Sequence, residues 1–297
     1  MKAIDFSCKH NVMLMNEDGT MLPMDVPFFE PLLIAPETWR IFSAGDYSYL
    51  VAGDDEAIVI DSGYGCGNIR DFCQTLTEKP VRRILNTHHH FDHTANNCYF
   101  ECALMSEESR EFATIPFKSF EGIEFPRDYP VEIIGEGTVI RLGGRDLETF
   151  FIPDHAVGSL AFLDRKRRIL FSGDEILYTG IYISGSVARR ERQFTKLAER
   201  RNEFDTICGG SAIFEADVLD KYLENLRYIL AGHEGVPVEP CKPAPTLPPD
   251  AEGRVIYRRK DPRPCDMKVA ASTGMAFIRS MDHAGVKVTY DMRRIWD

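Results

Sequence analysis

Hydrophobic and polar positions along this chain follow two periods in turn. Three short apolar runs, Trp39 to Ser43, Tyr47 to Ala52 and Ala57 to Ile60, have the length and β-branched content of strands. Gly53-Asp54-Asp55-Glu56 separates the last two and predicts a hairpin turn. A helical period follows: Asn68 is placed to cap a helix reaching about Thr77, with Ile69, Phe72, Cys73 and Leu76 on one face. Val81 to Asn86 then predicts a strand running into a loop. The next segments predict a short helix at Thr94 to Phe100, a strand at Ala103 to Met105, and a helix at Ser106 to Ala113 with only a partial capping box (Ser106, Ser109). Two hairpins are expected, Thr138 to Leu142 with Asp146 to Ile152, and Ser159 to Leu163 with Arg168 to Phe171. An amphipathic helix over Arg189 to Arg201 carries Phe194, Leu197 and Ala198 inward. A strand at Asp205 to Cys208 precedes the clearest helix, Glu215 to Leu230, whose stripe is Val218, Leu219, Tyr222, Leu223, Leu226, Ile229 and Leu230.

The flanks read differently. Residues 1–36, with prolines at 23, 27, 31 and 36, are expected to be an irregular N-terminal arm over the body or a neighbouring subunit. The segment 114–136 is rich in Pro, Gly and charge, and reads as a pocket-shaping loop or a solvated connection. A Pro-rich bend at 237–249 leads to β-like runs near Arg254 to Arg258, Met275 to Arg279 and Val286 to Tyr290. The expected organisation is an arm (1–36), a central domain (37–240) and a C-terminal extension packed on it (241–297). Strands and helices interleave, and many connections are hairpins. That argues for helix-covered sheets, not a simple parallel doubly wound sheet.

Composition narrows the function. The chain has 297 residues, 44% of them apolar, and a net charge of −11. Such an acidic chain is a poor nonspecific ligand for nucleic acid or anionic membrane. The longest apolar runs fall short of the roughly 20 residues that span a bilayer. The first ten residues lack a signal-peptide plan, so the expected compartment is the cytoplasm, with the eight cysteines reduced. Cys98 and Cys102, four apart, would share a helix face as buried structural thiols.

The chemistry concentrates at Thr87 to His93. Four of the eight histidines and Asp92 fall within six residues at a strand end. In an extended segment His88 and His90 point one way and His89 the other. A turn after His90 would swing Asp92 and His93 to the same place. Imidazole and carboxylate donors in this pattern suit zinc and other borderline divalent metals.

The segment His88-His89-His90-Phe91-Asp92-His93 resembles the metal-binding motif of the metallo-β-lactamase fold superfamily. The later segments Asp154-His155-Ala156-Val157-Gly158-Ser159 and Ser172-Gly173-Asp174 follow in that superfamily's order, and Ile60-Asp61-Ser62-Gly63 precedes it. Asp154 stands where the family has Gly. The resemblance covers roughly 37–232 and implies an α+β fold, a four-layer αββα sandwich. It implies a first metal site of His88, His90 and His155 and a second of Asp92, His93 and Asp174, with Asp174 bridging. Asp92 would orient the nucleophilic water, and Asp61 would brace the metal loop from behind.

One family ligand is missing. The usual second-site histidine falls at Gly210, in Cys208-Gly209-Gly210-Ser211. The site could be weak, stay empty or gain a donor from elsewhere, with Cys208 and His233 as possibilities; fewer than two metal equivalents are expected. Histidine at 210 should then raise second-site affinity if the loop admits it.

The resemblance, of glyoxalase II or lactonase type, implies a metal-dependent hydrolase of a small soluble ester, thioester, lactone or phosphoester. Zinc is the expected metal, with iron or manganese as alternatives, and the N-terminal arm and the family resemblance are compatible with a homodimer. The competing readings are a non-catalytic metal or ligand binder and a mononuclear-iron oxidoreductase of sulfur-dioxygenase type. Tyr64, Tyr178 and Tyr182 lie in loops near the expected site, where packing is their commoner role.

Overall fold

The computed structural model describes residues 3–177, 180–238, 247–259 and 275–297. The chain opens with a strand pair, β1 (Val12–Met15) and β2 (Met21–Pro23). A seven-stranded sheet then forms from β3 (Glu30–Ala35), β4 (Thr38–Phe42), β5 (Tyr47–Ala52), β6 (Ala57–Ile60), β7 (Val81–Leu85), β8 (Cys102–Met105) and β9 (Val131–Ile133), in that order. Helix α1 (Ile69–Gln74) joins β6 to β7. The single turns α2 (Phe91–Thr94) and α3 (Glu107–Arg110) flank β8. Strands β3 to β6 pair antiparallel, and β6 to β9 pair parallel.

The second sheet begins with β10 (Val139–Arg141), β11 (Asp146–Phe151), β12 (Leu160–Asp164) and β13 (Ile169–Gly173). The chain leaves it through β14 (Ile181–Tyr182) and helix α4 (Val187–Ala198), then returns as β15 (Thr206–Gly209) and β16 (Ile213–Glu215). β15 lies parallel to β13. Helix α5 (Asp217–Leu230) follows, then β17 (Val236–Pro237), β18 (Val255–Arg258), β19 (Ile278–His283) and β20 (Val286–Asp291). β18 pairs with β1; β14, β20, β19 and β17 make a small third sheet.

Side-chain alternation builds the layers. On the two large sheets, Tyr49, Val51, Ile58, Ile60, Leu147, Phe162 and Phe171 face one another in a shared core. The opposite face of the first sheet, including Leu50, Val59 and Ile84, packs against Ile69 and Cys73 of α1 and Phe91 of α2. The opposite face of the second, including Phe150, Leu163 and Ile207, packs against Phe194 of α4 and Leu219, Tyr222 and Leu226 of α5. This is the expected four-layer αββα sandwich. The central strands are apolar on both faces because both faces are covered. Met281, Val286, Val288 and Tyr290 of the C-terminal hairpin join the α5 core.

Three local expectations fail. The stretch before residue 37 is not irregular: it supplies β1, β2 and β3, and β3 pairs along β4. Its prolines are compatible with that because Pro23 ends a strand, Pro31 lies in an edge strand, and Pro27 and Pro36 lie in loops. Thr94 to Phe100 is not one helix but the end of α2 and a 3-10 turn at Asn97–Tyr99. Cys98 and Cys102 therefore do not share a helix face, since Cys102 opens β8. The helix expected to Ala113 is the one turn of α3, capped by Ser106 Oγ accepting from Ser109 N. Tyr178, Cys241, Cys265 and much of the 237–249 bend lie outside the described residues.

Candidate metal centre

Pairing directions bring the chemistry to one edge. β5 starts where its antiparallel partner β6 ends, and β7, parallel to β6, ends there too. Asp46, Asp61 and His88 therefore leave the first sheet at the same end. In the second sheet β13 and β15 run parallel and finish together, with Asp174 and Gly210 just beyond. β11 ends and β12 begins at that end as well, and His155 lies in the loop between them. Leu160 N donates to Thr87 O (2.7 Å) and joins the two sheets there.

The donor atoms of His88, His90 and His155 lie within 4.8 Å of one another, as do those of His88, His93 and Asp174. A third group, Asp46, Asp92 and His93, is equally close. His89 turns away, toward Val157 O and the Phe112 ring. Asp46 is the residue that the sequence reading missed. Its only signal was a carboxylate at the mouth of an apolar strand.

The surroundings hold these groups in place. Asp61, at φ 57°, accepts from Thr87 N (2.8 Å) and Thr87 Oγ1 (2.7 Å), and its Oδ2 lies 2.9 Å from His93 Nδ1. That contact leaves His93 Nε2 facing inward, 3.5 Å from Asp174 Oδ1. His88 Nδ1 lies 3.0 Å from Thr87 Oγ1, which turns its Nε2 inward too. Gly173 has φ 52°, and a Cβ there would strike Thr87, so glycine lets Asp174 approach the histidine turn. Phe117, Phe120 and Phe125 pack on Phe91, so the segment 114–136 buttresses α2 from below. The His155 loop is fixed by Glu175 Oε1, which accepts from Asp154 N (2.9 Å); Glu175 in turn pairs with buried Arg190 (2.6 Å). Asp154 accepts from Ser184 N and Gly185 N (3.0 Å each), a clamp that glycine could not make. Tyr64 donates to Ala44 O and packs on Phe91 and Phe120, a packing role.

Burial pushes His88 well below its usual pKa, and His93, His90 and His155 push it further down. His90 is driven to about 3, by burial first and by His155 second. For His93 burial also lowers, but Asp174, Asp61 and Asp92 reverse it and hold the ring well above its usual range. Asp174 stays below the ordinary carboxylate range: burial opposes this, and His93, then His155 and His90, outweigh it. Neutral His88 and His90 and ionised Asp174 are in the protonation states of metal ligands, whereas His93 would have to give up its Nε2 proton to an ion.

A divalent ion fits these residues. His88 Nε2, His93 Nε2 and Asp174 Oδ1 are buried with no hydrogen-bond partner. Buried polar atoms rarely remain so unless another partner is intended. The donors are the imidazoles and carboxylates that borderline divalent ions prefer.

The two alternative donors considered for the position at Gly210 lie away from the cluster. Cys208 lies in the core between the sheets. The His233 ring stacks on Tyr228 (centroids 3.7 Å apart), beyond α5. Gly210 does border the cluster: a Cβ on it would overlap Asp174 Oδ1 and come within 2.8 Å of His93 Cε1.

Two facing sheets under outer helices, with histidines and aspartates gathered at their common edge, define the class of protein. The metallo-beta-lactamase superfamily model matches residues 45–230, and the chain belongs to that superfamily, whose members bind divalent metals. Among curated relatives, the acyl-coenzyme A thioesterase MBLAC2 of Gallus gallus is 30% identical, over 48% of this chain and 62% of its own. The Homo sapiens protein of that name is 28% identical, over 54% and 69%. The chain thus spans 62% to 69% of these relatives' lengths. Among solved structures, a metallo-beta-lactamase from Pontibacter korlensis superposes with TM-score 0.54 at 17% identity, covering 67% of this chain and 99% of that one. Among the described residues, no helix is long and apolar enough to cross a membrane.

Proposed function

We propose that this chain is a metal-dependent hydrolase of a small acyl thioester. The observation that carries the proposal is that His88 Nε2, His93 Nε2 and Asp174 Oδ1 are buried without a hydrogen bond at the shared sheet edge, where the donor atoms of His88, His90 and His155 also converge. Among the ester, thioester, lactone and phosphoester considered, the relatives named acyl-coenzyme A thioesterase support the thioester. His88, His90 and His155 would hold the first ion, with zinc suited to three imidazoles. Asp92, His93 and Asp174 would contribute to a second, with Asp174 shared. A bound divalent ion supplies an acidified water and polarises the acyl carbonyl.

The chain's own residues do the rest. Asp92, 8% exposed on α2, holds the attacking water and takes its proton at the carboxylate. Water oxygen bonds to the acyl carbon, the carbon–sulfur bond breaks, and the proton goes to the leaving sulfur. The products are a carboxylic acid and a thiol. Asp61 keeps His93 in one orientation throughout.

Thiol release from acyl-coenzyme A substrates, measured beside lactones and phosphoesters, tests the reading. Thioesters should turn over fastest. Asp92→Asn should lower kcat by about 100-fold or more, the scale of a lost acid–base group, while metal content at the three-histidine site is kept. Wild-type turnover by Asp92→Asn would refute the role of Asp92. A metal-replete protein that hydrolyses none of the panel would be a non-catalytic binder.

A further inference from the structure

Gly210 leaves the second site one ligand short of its family pattern, and the molecule carries a donor on the adjacent loop. We propose that Asp46 completes the second metal site, making it rich in carboxylates and selective for a harder ion than the first. The proposal rests on the metal reading of the centre.

Three observations carry it. A carboxylate oxygen of Asp46 lies within 4.8 Å of donor atoms of Asp92 and His93, close enough for one ion to touch all three. His93 Nε2 is fully buried and without a hydrogen bond, so the group contains an imidazole aimed at an ion and not merely clustered acids. The Asp46 loop is also fastened to the gap: Tyr47 N donates to Gly210 O (2.6 Å), and Tyr49 OH donates to Gly209 O (2.6 Å). The segment around Gly210, which offers no side-chain donor, is therefore tied by its backbone to the segment that carries Asp46.

The ligand sets then differ in kind. The first site has three imidazoles, which suit zinc. The second would have the oxygens of Asp46 and Asp92 with the His93 imidazole, beside Asp174, whose Oδ1 lies 3.5 Å from His93 Nε2. Oxygen-rich sets suit manganese or magnesium better than imidazole sets do.

Metal titration followed by calorimetry and elemental analysis decides the matter, with Mn(II) paramagnetic resonance reporting the second site directly. The wild-type protein should bind two equivalents and accept manganese beside zinc. Asp46→Ala should keep one tight equivalent and lose affinity for the other by more than about 100-fold, since even groups outside the coordination sphere are worth roughly 10–100-fold. Asp46→Asn, nearly identical in shape, should show the same loss and guards against misfolding of the alanine variant. Two equivalents bound with wild-type affinity by both variants would overturn the assignment, as would a wild-type protein that binds only one. The readout is bound metal. A protein that binds two ions through Asp46 and cleaves no thioester would refute the proposed function and leave this assignment standing.

Discussion

At the scale of single residues, Gly210 lies against the second site, where a Cβ would meet Asp174 Oδ1 and His93 Cε1. The gap in the motif suggested that a histidine there would strengthen the second site. Its φ lies outside the left-handed region, yet any Cβ would press on Asp174 and His93. Gly210→Ala should therefore weaken the second metal in a titration, and Gly210→His should weaken it more. A gain in affinity on either change would show that the loop moves aside. The thiols offer a second check. Cys8 is exposed, whereas burial pushes Cys66 up to about 11 and drives Cys73 and Cys208 further up. At pH 7.5 iodoacetamide should modify Cys8 before Cys66 and spare Cys73 and Cys208 in the folded protein. Rapid labelling of Cys208 would contradict its place in the core. The histidines and Asp174 were legible because their order along the chain is specific. Asp46 was not: an aspartate before a strand looks like any turn residue until the sheet brings the start of β5 to Asp92 and His93.

At the scale of elements, the His155 loop depends on α4. Arg190 and Glu175 are each 2% exposed and pair at 2.6 Å, and Glu175 holds the backbone at Asp154. Arg190→Leu would leave a buried carboxylate without its counter-ion. We expect a loss of about 3–5 kcal/mol in urea denaturation, the usual result of breaking one side of a buried pair. A change below about 1 kcal/mol, the range of exposed pairs, would mean that Glu175 is satisfied another way. The sequence showed α4 and α5 clearly, because fully buried faces leave a strong helical period. It did not show β1 to β3. Four prolines obscure them, and edge strands tolerate proline where central strands do not.

At the scale of the whole molecule, the sandwich brings two sheet edges together. Parallel β6 and β7 and parallel β13 and β15 each end at the centre, so each sheet delivers side chains from more than one strand. The layers were legible through the family motif and the alternation of strand residues. The ligand count was not, because it depends on which loops meet at that edge. The most direct test is to strip the protein of metal with a chelator, then follow thiol release from an acyl-coenzyme A while zinc or manganese is returned. Hydrolysis should be absent in the stripped protein and recover with added metal, reaching its full rate as the second equivalent binds. Equal hydrolysis by the stripped protein, or none at any metal loading, would contradict a metal-dependent thioesterase.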